Sequence, residues 1–587
     1  MAATASMATA LQVFEKHWGH KSFRKAQNVV IESVLEGKDV LAVLPTGYGK
    51  SATFQVPALC RPGCAIVISP LIALMKDQCD DATARGIPAS YVNTHVDESE
   101  QAERYAALMA GEFKLFYIAP ERIRSKSFLG ALQASEINCV VVDEAHCASQ
   151  WGHDFRPMYM RIVDVVNALT AADGTRPPIM AVTATATKGI EADIAKAVGM
   201  SDDYIRVVAD PVRANLAYEV RDGSPWVNLR VEFKRWNIQT GRYIVYVGTQ
   251  KGAEMVADMT NREFGQGTAI YYHAGMTRGE RIDAQDKFKS GRTPVAVATC
   301  AFGMGIDIPN IRSVVHFGYP GCLEDYIQEA GRAGRDGLWS SVVLLADPAS
   351  IELRQRFLDL NNPPYALFRA VWAWLKSTLD DGEVLKMTAK QIAQAIQAET
   401  DYNQTVHEAP LNTVLNILEK LRLIRRGTMP GGTEIVLTPT RFRRALVAGN
   451  LDPKTQQVAE TIDKHFVEPE LTVRKHPEGE RLRITLDKRT LAGIARVGEF
   501  ACSKALKQLE AARDLSIEPT FRGKTCEIIA RNADLAKVLP VEEMRQKRER
   551  EQYRLDKLIE YSRTKPNERI AFIRDYFLND QAGMLAD

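Results

Sequence analysis

The sequence predicts an α/β protein: two tandem domains, each on a parallel sheet, followed by helical domains of winged-helix type. Three observations lead there. Short, continuous apolar runs recur up to Pro348 with amphipathic stretches between them, as parallel strands buried on both faces require. The first run leads into a glycine-rich turn, Leu44-Pro45-Thr46-Gly47-Tyr48-Gly49-Lys50-Ser51. Beyond Asp347 the apolar runs give way to helical sequence punctuated by hairpin-like turns.

In the first domain, assigned to residues 1–210, the expected strands are 40–44, 65–69, 115–118, 139–143 and 179–183. Asp210-Pro211-Val212-Arg213 closes it. In the second, assigned to residues 211–348, they are 243–247, 268–272, 295–299 and 313–317. Functional groups are expected at the strand ends. Residues 349–450 and 451–540 then repeat one pattern of helix, helix and β-wing. The first copy has helices at 390–396 and 411–423 and a hairpin turning at Met429-Pro430-Gly431-Gly432. The second has helices at 489–495 and 503–512 and a hairpin around Arg522-Gly523-Lys524. Residues 541–587 read as a charged helix and a C-terminal helix pair.

Composition narrows the function. A chain of 587 residues is too long for one core. Its net charge is only +2, so any nucleic-acid site must be a local groove rather than a basic body. The start has no secretory pattern, and no apolar run is long enough for a membrane span. A soluble, intracellular protein is expected. The nine cysteines are scattered and read as free thiols, with Cys139, His146 and Cys147 assigned to a strand and loop rather than a metal.

The glycine turn suits phosphate. Glycines let backbone N–H groups approach phosphate oxygens. Thr46, Gly47 and Gly49 would line the cradle, Lys50 would reach the β- and γ-phosphates, and Ser51 would hold Mg²⁺. The turn departs from the strict phosphate-loop pattern, because Leu44 stands where the first glycine belongs. Asp143-Glu144-Ala145-His146 ends another strand. Asp143 is placed for Mg²⁺ and Glu144 for the attacking water. Thr183 and Thr185 are candidates for coupling hydrolysis to domain motion. Gln328, Arg332 and Arg335 are expected on one face of one helix. Arg335 is the candidate arginine finger, with Arg332 assisting. Asp307, after a second glycine turn, is a candidate for the ribose.

These motifs, in this order, resemble the RecQ family of superfamily 2 DNA helicases over residues 14–348. The resemblance implies two RecA-like motor domains, ATP and Mg²⁺ as cofactors, DNA as partner and 3′-to-5′ unwinding. Within the stretch 18–27, Gln27 would read the adenine edge with Arg24 and His20 beside it, although His20 stands where an aromatic is usual. Ser149-Gln150-Trp151-Gly152-His153-Asp154-Phe155-Arg156 resembles the family's aromatic-rich loop. Trp151 and Phe155 offer stacking faces to unpaired bases, with His153 and Arg156 beside them. Ser69, Lys76 with Gln78, Arg122, Thr249 and His273 fall in motifs that resemble the family's strand contacts.

Two departures stand out. The family's zinc module needs cysteines that are absent between Cys322 and Cys502, and Asn567 stands near where one ligand is expected. The C-terminal helix pair is therefore expected to be a zinc-free relic, held by Leu558, Ile559, Ile570, Phe572, Ile573 and Phe577. The first wing tip also carries no aromatic strand-separating pin. A translocase that separates strands poorly, an RNA helicase and a non-catalytic winged-helix regulator remain alternatives.

Overall fold

Seven strands, all parallel, build the first sheet. They are β1 (Val40–Val43), β2 (Cys64–Ile68), β3 (Ala89–Val92), β4 (Leu115–Ile118), β5 (Ile137–Val142), β6 (Ile179–Thr183) and β7 (Ile205–Val208). Their order is β3-β4-β2-β5-β6-β1-β7. This order positions the site. β1 and β5 flank β6, so the loops leaving β1 and β5 emerge side by side with Thr183 between them. The structure, a computed structural model, describes residues 6–578 apart from 71, 150–155, 303–307, 381, 386, 429–432, 449–450, 473, 487, 513 and 520–523.

The second sheet is also parallel. Its strands are β8 (Leu216–Asp222), β9 (Arg242–Val247), β10 (Ala269–Tyr272), β11 (Val295–Ala298), β12 (Ile311–Phe317) and β13 (Ser340–Ala346), ordered β10-β11-β9-β12-β13-β8. Every strand expected from the sequence forms. The sequence reading passed over β3, β7, β8 and β13. Of these, β3, β7 and β8 lie at sheet edges and are only partly buried, so their sequences lack the continuous apolar run of a central strand.

The chain divides into two units, Met1–Arg356 with Lys547–Asp587, and Phe357–Gln546. The first unit thus holds both sheets and the C-terminal helices Val541–Arg563 (from Lys547 on) and Arg569–Leu578. Leu558, Tyr561, Ile573 and Phe577 are buried in the core of the second α/β domain, beside Tyr326. Tyr319 and Ser562 share a 2.7 Å hydroxyl hydrogen bond. Arg574 forms an ion pair with Asp210 at 2.6 Å. Ile559 and Phe572 pack against this core at its margin. Ile570 was expected to pack as well, but it is exposed. The apolar stripe that matters faces the sheet domain rather than only the partner helix.

The second unit corrects the expected wings. Its strands are β14 (Val384–Leu385), β15 (Ile424–Thr428), β16 (Thr433–Leu437), β17 (Leu482–Leu486), β18 (Ser516–Pro519) and β19 (Lys524–Ile528). Sequence reading paired β15 with β16, and β18 with β19, as two hairpins. Instead β15 runs antiparallel to β19, from Ile424↔Ile528 to Thr428↔Lys524. β16 runs antiparallel to β18, from Thr433↔Pro519 to Val436↔Ser516. The two ladders are in register: five residues on from Thr428 and five back from Lys524 is the pair Thr433 and Pro519.

The sheets are β14-β19-β15 and β17-β16-β18, so each central strand comes from the other half of the unit's sequence. The boundary expected between residues 450 and 451 is therefore wrong. One core gathers Leu367 to Ile424 together with Cys526, Leu535 and Leu539. The other gathers Ile435 to Leu515. The reason is side-chain burial. Ile435 and Leu437 bury in the second core and Cys526 in the first, and strand pairing follows the face that finds a core. The expected wing tips, Met429-Pro430-Gly431-Gly432 and Arg522-Gly523, lie outside the described residues.

Candidate ATP and nucleic-acid sites

The turn after β1 wraps the N-terminus of helix Lys50–Cys60. Gly47 and Gly49 sit in left-handed backbone, at φ 84° and 85°. At Gly49 the left-handed backbone favours glycine, and a Cβ there would also press to 2.6 Å of Gln27 Nε2. Gln27 itself donates to the carbonyls of Tyr48 (3.1 Å) and Gly49 (3.3 Å). Arg24 donates to the Gly47 carbonyl at 3.2 Å and lies over the Tyr48 ring. The expected adenine-reading residues thus brace the phosphate loop. His20 is exposed, with its ring 5.4 Å from that of Phe14.

Asp143 and Glu144 leave the end of β5. Glu144 holds φ 48°, a strained conformation for a non-glycine residue. Its carboxylate lies 3.9 Å from Lys50 Nζ. Asp143 is buried. Burial, and then the charge of Glu144, push its carboxyl above the usual range, against the pull of Lys50. Ser69 and Gln78 donate to its Oδ2 at 3.4 and 3.5 Å. Ser51 and Asp143 offer hydroxyl and carboxylate oxygens, a hard donor set that fits Mg²⁺. A buried carboxylate with a like-charged neighbour is one that a dication would stabilise. His146 Nδ1 pairs with Thr183 Oγ1 at 2.9 Å, and Thr183 donates to the Thr185 carbonyl at 3.2 Å. The acidic motif and the Thr183-Ala184-Thr185 strand end are therefore directly linked.

A cleft of about 780 Å³ joins the two sheets' loops. Thr46, Gly47, Gly49, Lys50, Ser51, Asp143 and Glu144 line it from the first domain, and Gln328, Arg332 and Arg335 from the second. These side chains line one cleft, but Gln328, Arg332 and Arg335 are not on one helix. The helix Leu323–Ala330 carries Gln328 and ends at Gly331, and Arg332 and Arg335 lie in the turns that follow. Gly334, at φ 56°, keeps the chain out of helix there. Lys289, unforeseen in the sequence, forms an ion pair across the domains with Asp77 at 3.0 Å.

The expected nucleic-acid contacts divide. Trp151, His153 and Phe155, with Gln150 and Gly152, lie outside the described residues, as does Asp307. Arg156 donates to the Pro70 carbonyl at 2.7 Å, tying the end of that loop to the turn after β2. Lys76 and Thr249 are exposed, and Arg122 is half-buried. Ser69 is fully buried against Asp143, so its hydroxyl serves the acidic site instead of a strand. His273 is buried too, stacked on Tyr271 and 3.3 Å from Glu254. All nine cysteines are free thiols, and Cys139 and Cys147 are buried. No cluster of candidate metal ligands occurs among the described residues. No helix of the described residues is long and apolar enough to cross a membrane.

Known proteins show the same two-domain pattern. The DEAD/DEAH box helicase family matches residues 24–192, and the helicase conserved C-terminal domain matches residues 228–337. The probable ATP-dependent DNA helicase RecS of Bacillus subtilis is 36% identical over 360 residues, 61% of this chain and 70% of that protein. The chain belongs to the RecQ family of superfamily 2 helicases. ATP-dependent DNA helicase RecQ of the same organism is 42% identical over 353 residues, 60% of this chain and 58% of that protein. RecQ of Pasteurella multocida is 40% identical over 58% of this chain and 52% of its own length. The match thus spans little more than half the length of these RecQ proteins. Among solved structures, the DUF1998 helicase MrfA bound to DNA aligns with a TM-score of 0.50 and 16% identity, covering 73% of this chain and 59% of that one. That likeness concerns the fold alone.

Proposed function

We propose that this RecQ-family chain is an ATP-dependent DNA helicase that moves 3′-to-5′ on single-stranded DNA. One observation carries the reading: a single cleft brings Lys50, Asp143 and Glu144 together with Arg332 and Arg335 of the other domain. Phosphoryl transfer needs little covalent help from protein; it needs positioning and charge stabilisation. Backbone N–H groups of the glycine turn and Lys50 would bind the phosphates, and Ser51 and Asp143 would hold Mg²⁺. When bound, Mg²⁺ neutralises charge developing on the transferred phosphoryl group. Glu144 accepts the proton of the attacking water. Arg335, with Arg332, brings positive charge from the second domain, so hydrolysis depends on closure of one domain on the other. Product release reopens the cleft, and repeated closure advances the strand contacts. His146, hydrogen-bonded to Thr183 and 3.4 Å from the Glu144 carboxylate, is suited to carry the state of the site towards the strand-facing loops.

The relatives' names support DNA as the partner, since RecQ and RecS are DNA helicases. The test is unwinding of forked DNA, 3′-tailed DNA and matched RNA by one preparation, with DNA-stimulated ATPase measured alongside. Lys50→Ala should abolish ATPase and unwinding while single-strand binding persists. Unwinding that prefers RNA or a 5′ tail would overturn the proposal. A translocase with weak strand separation is the second reading. It is favoured by the pairing of β15 with β19 and of β16 with β18, which leaves neither expected wing as a hairpin of its own. ATP-driven displacement of a bound protein without unwinding would select it.

A further inference from the structure

Arg213 lies in the linker between the two α/β domains, just before β8. Its guanidinium reaches back to the loop that carries the cleft arginines. Nη2 donates to the Gly331 carbonyl at 3.0 Å and to the Ala333 carbonyl, and Nη1 donates to the Gly334 carbonyl at 3.3 Å. The same guanidinium edges the phosphate loop, because a Cβ built on Gly47 would stand 3.1 Å from Nη1. Asn215 reinforces the grip, donating to the carbonyls of Gly334 (2.8 Å) and Leu338 (3.0 Å). The two loops also touch directly: a Cβ at Gly331 would stand 2.7 Å from Thr46 Cβ.

This is an unusual place for a cation. Burial, with Arg335 and Arg24 nearby, pulls Arg213 down to about 10, so it remains charged at neutral pH. Its partners are carbonyls, and no carboxylate lies within ion-pair distance of it among the described residues. A half-buried charge held only by carbonyls costs stability relative to a paired one. A folded chain with no need of it could have an apolar residue in the same space. The geometry ties that cost to the turn that aims Arg332 and Arg335.

We infer that Arg213 is a positioning residue: it clamps the 331–335 turn against the phosphate loop, so that Arg335 meets the γ-phosphate only when linker and both loops are in register. The inference rests on the ATPase reading above and adds a residue that acts through another. Arg213 need not touch the nucleotide. Its three carbonyl bonds fix the path of a turn whose glycines leave it free to wander.

The test is single-turnover and steady-state ATPase, with and without single-stranded DNA, on Arg213→Ala, Arg213→Lys, Asn215→Ala, Arg335→Ala and the Arg213→Ala/Arg335→Ala double variant. Melting curves check that each is folded. Arg213→Ala should lower kcat at least about tenfold with KM for ATP changed less than about threefold. Arg213→Lys should fail to rescue, because an ammonium on a shorter reach cannot reproduce the guanidinium fork that serves three carbonyls. Asn215→Ala should show a smaller loss of the same kind. In the Arg335→Ala background, Arg213→Ala should add less than about a twofold loss. Multiplicative losses in the double variant would overturn the inference, as would full rescue by lysine or a loss seen only in KM. If Arg213→Ala does not fold, the lysine and Asn215 variants decide by the same criteria. Absence of DNA-stimulated ATPase in the unaltered protein is a different failure, and it would fall on the proposed function.

Discussion

Replacing Asp39 with asparagine tests how the phosphate loop is anchored. Asp39 immediately precedes β1, the strand that delivers the loop. Its carboxylate is buried and accepts four hydrogen bonds: Arg176 Nη1 and Nη2 at 2.8 and 2.6 Å, the Ile179 amide at 2.8 Å and the Ser201 amide at 2.7 Å. These donors lie before β6, at its start, and after helix Lys188–Val198, so one carboxylate pins three segments at the base of the sheet. Asparagine keeps the shape but turns an N–H₂ towards donors and leaves Arg176 without its counter-charge. Removing one partner of a buried pair costs about 3–5 kcal/mol. The Arg176 side chain is 19% exposed, so water recovers part of that, and a loss of about 3 kcal/mol is expected.

Denaturant unfolding followed by hydrogen exchange gives the reading. The Ile179 and Ser201 amides should lose protection before the second domain does. The pH dependence has a definite sign. Burial opposes the charge of Asp39, but Arg176 and the two amides outweigh it and hold the carboxyl below the ordinary 3.8. The native state therefore gains stability from this group above about pH 4, and loses it as pH falls through the depressed native value. The difference between the two proteins should shrink there. A loss below about 1 kcal/mol at pH 7, or one that grows in acid, would refute the reasoning.

Three further outcomes are expected. Glu144→Gln should bind ATP and turn it over at least about tenfold more slowly, roughly 1.4 kcal/mol of barrier, in a quenched-flow hydrolysis assay; near-normal turnover would remove Glu144 as the base. Arg426→Cys should form a disulfide with Cys526 under mild oxidation, because the two are cross-strand partners at a separation that suits one. Mass mapping that finds both thiols free would favour separate hairpins over exchanged strands. The purified protein should hold no stoichiometric zinc and keep its melting curve in chelator; metal analysis near one zinc per chain would show a site assembled from residues distant in sequence.

The sequence by itself determined most of the central strands of the two parallel sheets and pointed to the phosphate-loop, acidic and arginine residues that line the cleft. Central strands such as 139–143 and 313–317 must be apolar on both faces, and a phosphate site needs glycine, lysine and acid at fixed strand ends. Those are local requirements, and local sequence displays them. Edge strands such as Leu216–Asp222 lack that signature because only part of each is buried. Arg213 was illegible for another reason: its three carbonyl acceptors lie about 120 residues away, as the sequence separations of its bonds show, and backbone acceptors carry no side-chain mark. Only the tertiary structure decided which strands pair in the second unit. Residues 424–437 and 516–528 read as two hairpins because each carries glycine in a short break, the local mark of a turn. Burial set the pairing of the described strands, seating Ile435 in one core and Cys526 in the other, and no local pattern encodes which of two cores a strand will reach.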